Sequence, residues 1–170
     1  MVISPDWVRM MAAYNTEMNR RLYDAAATLS DAERKQDCGA FWKSLHGTLT
    51  HILWGDRQWM SRFDNWPKPE TPIKQSGGMI EDFGALREQR QKADADIAAW
   101  ANKLDQATID RDFTWFSGGS NKEMTRPYGV LITHFFNHQT HHRGQAHALL
   151  TARGIDPGAT DLPWIIQLWD

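Results

Sequence analysis

The stretch Leu131–Leu150, LITHFFNHQTHHRGQAHALL, decides the reading of this chain. It holds five of the seven histidines: His134, His138, His141, His142 and His147. Pro127 precedes it, Arg153-Gly154 follows it and no proline interrupts it, which is the profile of one helix. Each residue turns a helix by about 100°. With His138 taken as zero, Leu131 and Leu149 fall at about +20°, His142 at about +40°, Phe135 at about +60° and Ala146 at about +80°. His138 and His142 therefore share the apolar stripe that faces a core. Arg143 and His147 point roughly the opposite way. Two histidines at i and i+4 have Cβ atoms about 6 Å apart, and their rings can converge on one metal ion, as in other helical His-x-x-x-His sites. The same pair is also compatible with core histidines satisfied by hydrogen bonds. A third ligand from elsewhere in the chain separates the two readings.

Outward from this stretch, the chain of 170 residues is long enough for one domain, 1–170, with a sizeable core. Charged residues make up 24% and the formal net charge is −2, so no nucleic-acid or anionic-membrane partner is implied. The single cysteine, Cys38, excludes an internal disulfide framework. The N-terminal residues lack a basic start followed by an unbroken apolar run, so a signal peptide is not expected. No run approaches the length of a membrane span. A soluble, cytoplasmic protein is the expectation. Nine tryptophans are many for this length and point to cores, pocket walls or oligomer interfaces.

Upstream, Ser4-Pro5-Asp6 reads as a helix start. Trp7, Met10, Met11, Tyr14, Met18, Leu22 and Ala25 then recur at threes and fours, predicting an amphipathic helix to about Leu29. Ser30–Arg34 predicts a short helical turn, and Gln36–Gly39 a loop. A second long helix is predicted over Ala40–Phe63, with Phe41, Leu45, Thr48, Ile52, Trp59 and Phe63 in its apolar stripe. His51 lies at the edge of that stripe, beside the small residues Ser44, Gly47, Thr48 and Gly55. Glycine inside a helix costs about 1 kcal/mol relative to alanine, so two of them beside one histidine mark either room left for something or a close helix contact. His46 projects elsewhere and is given no metal role. Asn65–Gly78 is proline-rich and predicted as loop. Ile80–Lys103 carries a third helix, with Phe83, Leu86, Arg90, Ala93, Ile97 and Trp100 at the 3.6 period. Arg111–Pro127 is read as two short strands joined by a turn, or as an ordered loop. In the tail, Trp164, Ile165, Ile166, Leu168 and Trp169 need cover from the bundle or from a second subunit.

Four long amphipathic helices predict an all-α fold, a four-helix bundle. The long connections Asn65–Gly78 and Arg111–Pro127 allow crossovers in place of strict up-and-down order.

FWKSLHGTLTHILWGDRQWMSRF, with HFFNHQTHHRGQAHALL and GIDPGATDLP downstream, resembles the DinB family of metal-dependent proteins over most of the chain. The paired motifs are a histidine in the second long helix and His-x-x-x-His-Arg-Gly-Gln in the last. The resemblance implies a four-helix bundle in crossed-over order, a dimer, and one divalent metal held by three histidines, which fall here on His51, His138 and His142. It also implies a wider superfamily in which some members transfer low-molecular-weight thiols or isomerise maleylpyruvate with mycothiol. Many others have no assigned activity.

Three neutral imidazoles suit zinc, nickel, iron or copper, and three protein ligands with an open position is the arrangement of catalytic zinc. Zinc or nickel is the expected ion, with iron behind them and a low-molecular-weight thiol as a further cofactor. HHRGQ supplies no acidic base, which argues against HExxH-type peptide hydrolysis. The functional expectation is a metal-dependent enzyme of thiol-transfer or hydrolase type, acting on a small molecule in a pocket walled by Trp54, Trp59 and Trp115. The alternative is a non-catalytic metal-binding protein of stress response or small-molecule sensing. His134 and His141 are read as shuttles or boundary residues, Gln145 as a partner of bound water, and Asn137 and Asp56 as orienters of ligand histidines. Metal binding is expected to weaken as pH falls through about 6.5.

Overall fold

Helix ends in this protein are set by side chains that the sequence places at capping offsets. The computed structural model describes residues 3–166. α1 spans Pro5–Ala27, and the Ser4 hydroxyl accepts from the Trp7 N–H at 3.2 Å. α2 (Asp31–Lys35) opens on a capping box between Ser30 and Glu33. α3 spans Leu45–Phe63 and α4 spans Phe83–Lys103, preceded by a 3₁₀ turn over Ile73–Gly78. A short α5 (Gln106–Asp110) leads into the antiparallel pair β1 (Asp112–Ser117) and β2 (Lys122–Pro127). α6 spans Tyr128–Thr151, with Gly154 beyond its end at φ +74. α7 is the single turn Leu162–Ile165.

The hairpin reading of Arg111–Pro127 is the one realised, with register from Asp112↔Pro127 to Ser117↔Lys122. Two expected helix starts are corrected. α3 begins at Leu45 and not at Ala40, because Ser44 caps it by accepting from the Gly47 N–H at 3.0 Å. Gly39–Lys43 instead forms a tight turn, with Lys43 at φ +66 and an Ala40↔Lys43 bridge. Phe41 consequently leaves the expected apolar stripe and stands 78% exposed. α4 begins at Phe83 because the Asp82 carboxylate accepts from the Ala85 N–H at 2.7 Å. α5 and the 3₁₀ turn are elements that periodicity did not predict.

α1 packs against α4 and α6, and α3 packs against α6 and α4. The first two long helices are thus not neighbours, which makes the bundle a crossed-over one. Its core has two apolar clusters. One surrounds Val8, Met60, Ile97, Trp100, Phe135 and Phe136. The other surrounds Leu22, Leu45, Leu53, Leu86, Ala146 and Leu150. Side chains from all four long helices meet in a buried polar network. Arg90 pairs with Asp56 and, at 2.8 Å, with Asp94. Gln139 donates to Asp56 at 2.7 Å, Asn19 donates to Asp94 at 2.9 Å, and Arg143 donates to Asn15. Arg143 was expected to point away from the core. It is 5% exposed, because α6 lies between α3 and α1 and is covered on both sides. Leu168 and Trp169 of the tail lie outside the described residues, and Trp164 is 81% exposed.

Candidate metal centre

The site sits between α3 and α6. Ser44 fixes where α3 starts, and seven residues on, two turns later, His51 faces α6. His138 and His142 project from the facing side of α6, one turn apart. The three ring centroids stand 5.3 Å (His51 to His138), 4.6 Å (His51 to His142) and 4.5 Å (His138 to His142) apart. One ring nitrogen of each lies within 4.8 Å of the others, and among the described residues this is the one such cluster of three potential ligands. His51 and His142 are buried and His138 is half-buried.

Two glycines allow this approach. A Cβ on Gly55 would stand 2.6 Å from Cε1 of His138, so the His138 ring occupies the space that a side chain at 55 would take. Gly47 lies against the Trp42 carbonyl, and a Cβ on Gly77 would meet the Gly47 carbonyl oxygen at 3.2 Å. That second contact lets the 3₁₀ turn settle on α3 and delivers Ser76 to His51. The room beside His51 and the close packing, read as alternatives from sequence, are both present, at different glycines.

Hydrogen bonds orient two of the rings. His51 Nδ1 is 2.7 Å from Ser76 Oγ, and His142 Nδ1 is 2.7 Å from Gln145 Oε1. An amide oxygen only accepts, so Nδ1 of His142 carries the proton and Nε2 keeps its lone pair. Gln145 turns its NH₂ to His141 Nε2 at 3.2 Å. Trp42 stacks on His51 with ring centroids 3.8 Å apart, and Trp54 lies nearly parallel to His51 at 5.7 Å.

Burial, reinforced by the neighbouring His142 and His138 rings, lowers the His51 pKa to about 3. Burial and the His142, His134 and His141 rings lower His138 to about 4. Burial also lowers His142, against the Gln145 hydrogen bond. All three rings are therefore neutral at pH 7, the form that coordinates. The onset of proton competition moves below the 6.5 expected from an unperturbed ring. Neutral rings, the tautomer of His142 set by Gln145, and converging nitrogens fit a divalent ion with an open coordination position.

The cluster opens into a cavity of about 750 Å³ between α3, α6 and the loop before the 3₁₀ turn. Trp42, Trp54 and Trp59 line it. Trp115, expected in the wall, instead backs Trp59 from 6.0 Å. His134 and His141 are exposed on the cavity side, His134 at 5.1 Å from Trp59 and His141 at 4.8 Å from His142. Asn137 is exposed, and Asp56 bonds Arg90 and Gln139, so neither orients a ligand ring. His46 is buried, not solvent-directed, and meets the Ile80 carbonyl at 2.7 Å, away from the cluster. Ser76 escaped the sequence reading because it lies in a segment without periodicity, and Trp42 because the apparent helical run through Phe41 is broken by the turn at Lys43. The only sequence signal for them was the glycines on which those segments rest.

The DinB family model matches residues 5–169. No curated protein matches the chain. Among solved structures, a DinB-like protein from Bacillus cereus superposes with a TM-score of 0.72 at 17% identity, covering 94% of this chain and 99% of that one. That likeness shows the fold, and the family match over nearly the whole length shows the lineage: this chain belongs to the DinB family.

Proposed function

We propose that the protein binds one divalent metal ion, zinc or nickel before iron, through His51, His138 and His142, and uses it in thiol transfer or a related hydrolytic reaction on a small molecule. The observation that carries this reading is the convergence of three neutral ring nitrogens within 4.8 Å, two of the rings held by Ser76 and Gln145. When bound, the metal supplies Lewis acidity that lowers the pKa of a thiol or water.

The chain's own residues do the rest. Ser76 and Gln145 orient two of the rings. Trp42 and Trp54 enclose His51 and keep bulk water from it. His134 offers a ring nitrogen at the cavity wall that can take up a released proton. Among the described residues the one carboxylate lining the cavity is Glu70, exposed on the loop. That favours thiol transfer, where the metal itself acidifies the nucleophile, over hydrolysis led by a carboxylate base.

The test is elemental analysis of untagged protein, with His51→Ala, His138→Ala and His142→Ala beside it. The expected result is about one equivalent of metal in the wild type, lost in each variant and kept in His147→Ala. Less than about a tenth of an equivalent after incubation with zinc or nickel overturns the reading. One equivalent of metal with no turnover of thiol-transfer or ester substrates selects a non-catalytic metal-binding or sensing role instead.

A further inference from the structure

The metal cavity has a second end. His51, Gly55, Gln58 and Arg62 follow one another along α3 at four, three and four residues, so they share one face of the helix. On α6, His134, His138, His142 and Gln145 run along the facing side. The two rows run antiparallel: His51 meets His138 and His142, whereas Trp59 meets His134 at 5.1 Å. The cavity is therefore elongated, with the three-histidine cluster at one end and Trp59, Arg62 and His134 at the other.

Arg62 is half-buried there, its guanidinium 4.5 Å from the centre of the Trp59 ring. Among the described residues it has no ion-pair partner within 4 Å and makes no side-chain hydrogen bond. Stacking on an indole holds the plane of a guanidinium but leaves the N–H donors on its edge free, and those donors match a carboxylate two by two. A half-buried cation without a partner costs desolvation that a bound anion repays.

We infer that the cavity takes a small carboxylate with an apolar body, its carboxylate held by the edge of Arg62, its body against Trp59 and Trp54, and its far end directed at the three histidines. The inference rests on the reading of this cavity as the substrate site. The helical rise places Trp59 about 12 Å along α3 from His51, a span suited to an aryl or short alkyl acid and too short for a polymer. Lys68 also lines the cavity but is exposed, so it offers a solvated charge and no fixed fork.

The experiment titrates metal-free protein with 3-phenylpropanoate and, separately, with its neutral amide, following tryptophan fluorescence and the heat of binding. Without metal, the carboxylate can reach no Lewis acid, and any preference for the acid reports the protein's own cation. The acid is expected to saturate and to bind at least about tenfold more tightly than the amide. Arg62→Gln is expected to erase that preference while leaving amide binding, the helical circular dichroism and the zinc content unchanged. Lys68→Gln is expected to keep the preference. Equal binding of acid and amide, wild-type acid binding by Arg62→Gln, or no saturation below about 10 mM overturns the inference. Failure of the metal site reads out separately, as absent zinc in a protein that still prefers the acid.

Discussion

Gly55 shows how one missing side chain shapes the site. His138 leans into the space where a Cβ at 55 would stand, 2.6 Å from its Cε1, so Gly55→Ala must turn or push the ring. Alanine favours a helix interior by about 1 kcal/mol over glycine, so the fold itself has no propensity reason to weaken. The expected outcome for Gly55→Ala is a loss of about tenfold or more in zinc affinity by calorimetric titration, with a metal-free protein that still unfolds cooperatively. Wild-type affinity in that variant would mean that His138 is not a ligand or has room to swing aside. Ser76 works in the opposite sense, by presence: its hydroxyl meets a buried ring nitrogen that would otherwise lack a partner.

At the scale of the element, α3 and α6 are joined twice, once through the histidines and once through the buried pair of Asp56 and Gln139. Asp56 is fully buried and holds Arg90, itself 2% exposed, so the polar network also ties α4 to these helices. Removing one partner of a buried ion pair leaves the other uncompensated, at a cost of about 3–5 kcal/mol. Asp56→Ala is therefore expected to lower unfolding stability by about that amount in urea. Metal affinity is expected to fall with it, since Asp56 follows Gly55 and Gln139 follows His138. A loss under about 1 kcal/mol would show that Asp94 alone satisfies Arg90.

For the whole molecule, pH tests the sum of the buried rings. His51 and His138 are held at about 3 and about 4 in the fold, below the unfolded value of about 6.5. Between those limits the unfolded chain binds more protons than the folded one, so the stability these rings contribute is full above about 6.5 and is lost as pH falls toward 4. His46, His134 and His142, also lowered by burial, act in the same direction. Asp94, raised to about 6 mainly by burial, and Asp56, also raised by burial, act against them. With five rings against two carboxyls, the urea midpoint of the metal-free protein is expected to fall between pH 7.5 and 5, and an unchanged or rising midpoint would refute the balance. Assembly is a separate matter. Trp164, 81% exposed, and Phe116, 61% exposed, motivate the proposal that the protein is a homodimer, and sedimentation of a clean monomer at micromolar concentration would refute it. Among the described residues no helix is long and apolar enough to cross a membrane.

Local periodicity made the four long helices legible, because burial of one face imposes a 3.6-residue repeat wherever a helix packs. The same repeat placed His138 and His142 together on α6, and the small residues around His51 marked the surface that meets them. Capping chemistry at Ser4 and Ser30 was equally local and equally readable. The start of α3 was not, because the apolar run continues back through Phe41 while the backbone turns at Lys43. Arg143 was misread because an amphipathic pattern treats a charged residue as solvent-facing, and Asp56 was assigned to a ligand ring because its true partners, Arg90 and Gln139, lie on other helices. Only the packing of four helices around Arg90 supplies the partners that let such charges be buried. Ser76 on His51 and Trp42 across its ring are contacts made from non-repeating turns outside the long helices. Their positions follow from how the helices cross, which no single stretch of sequence encodes.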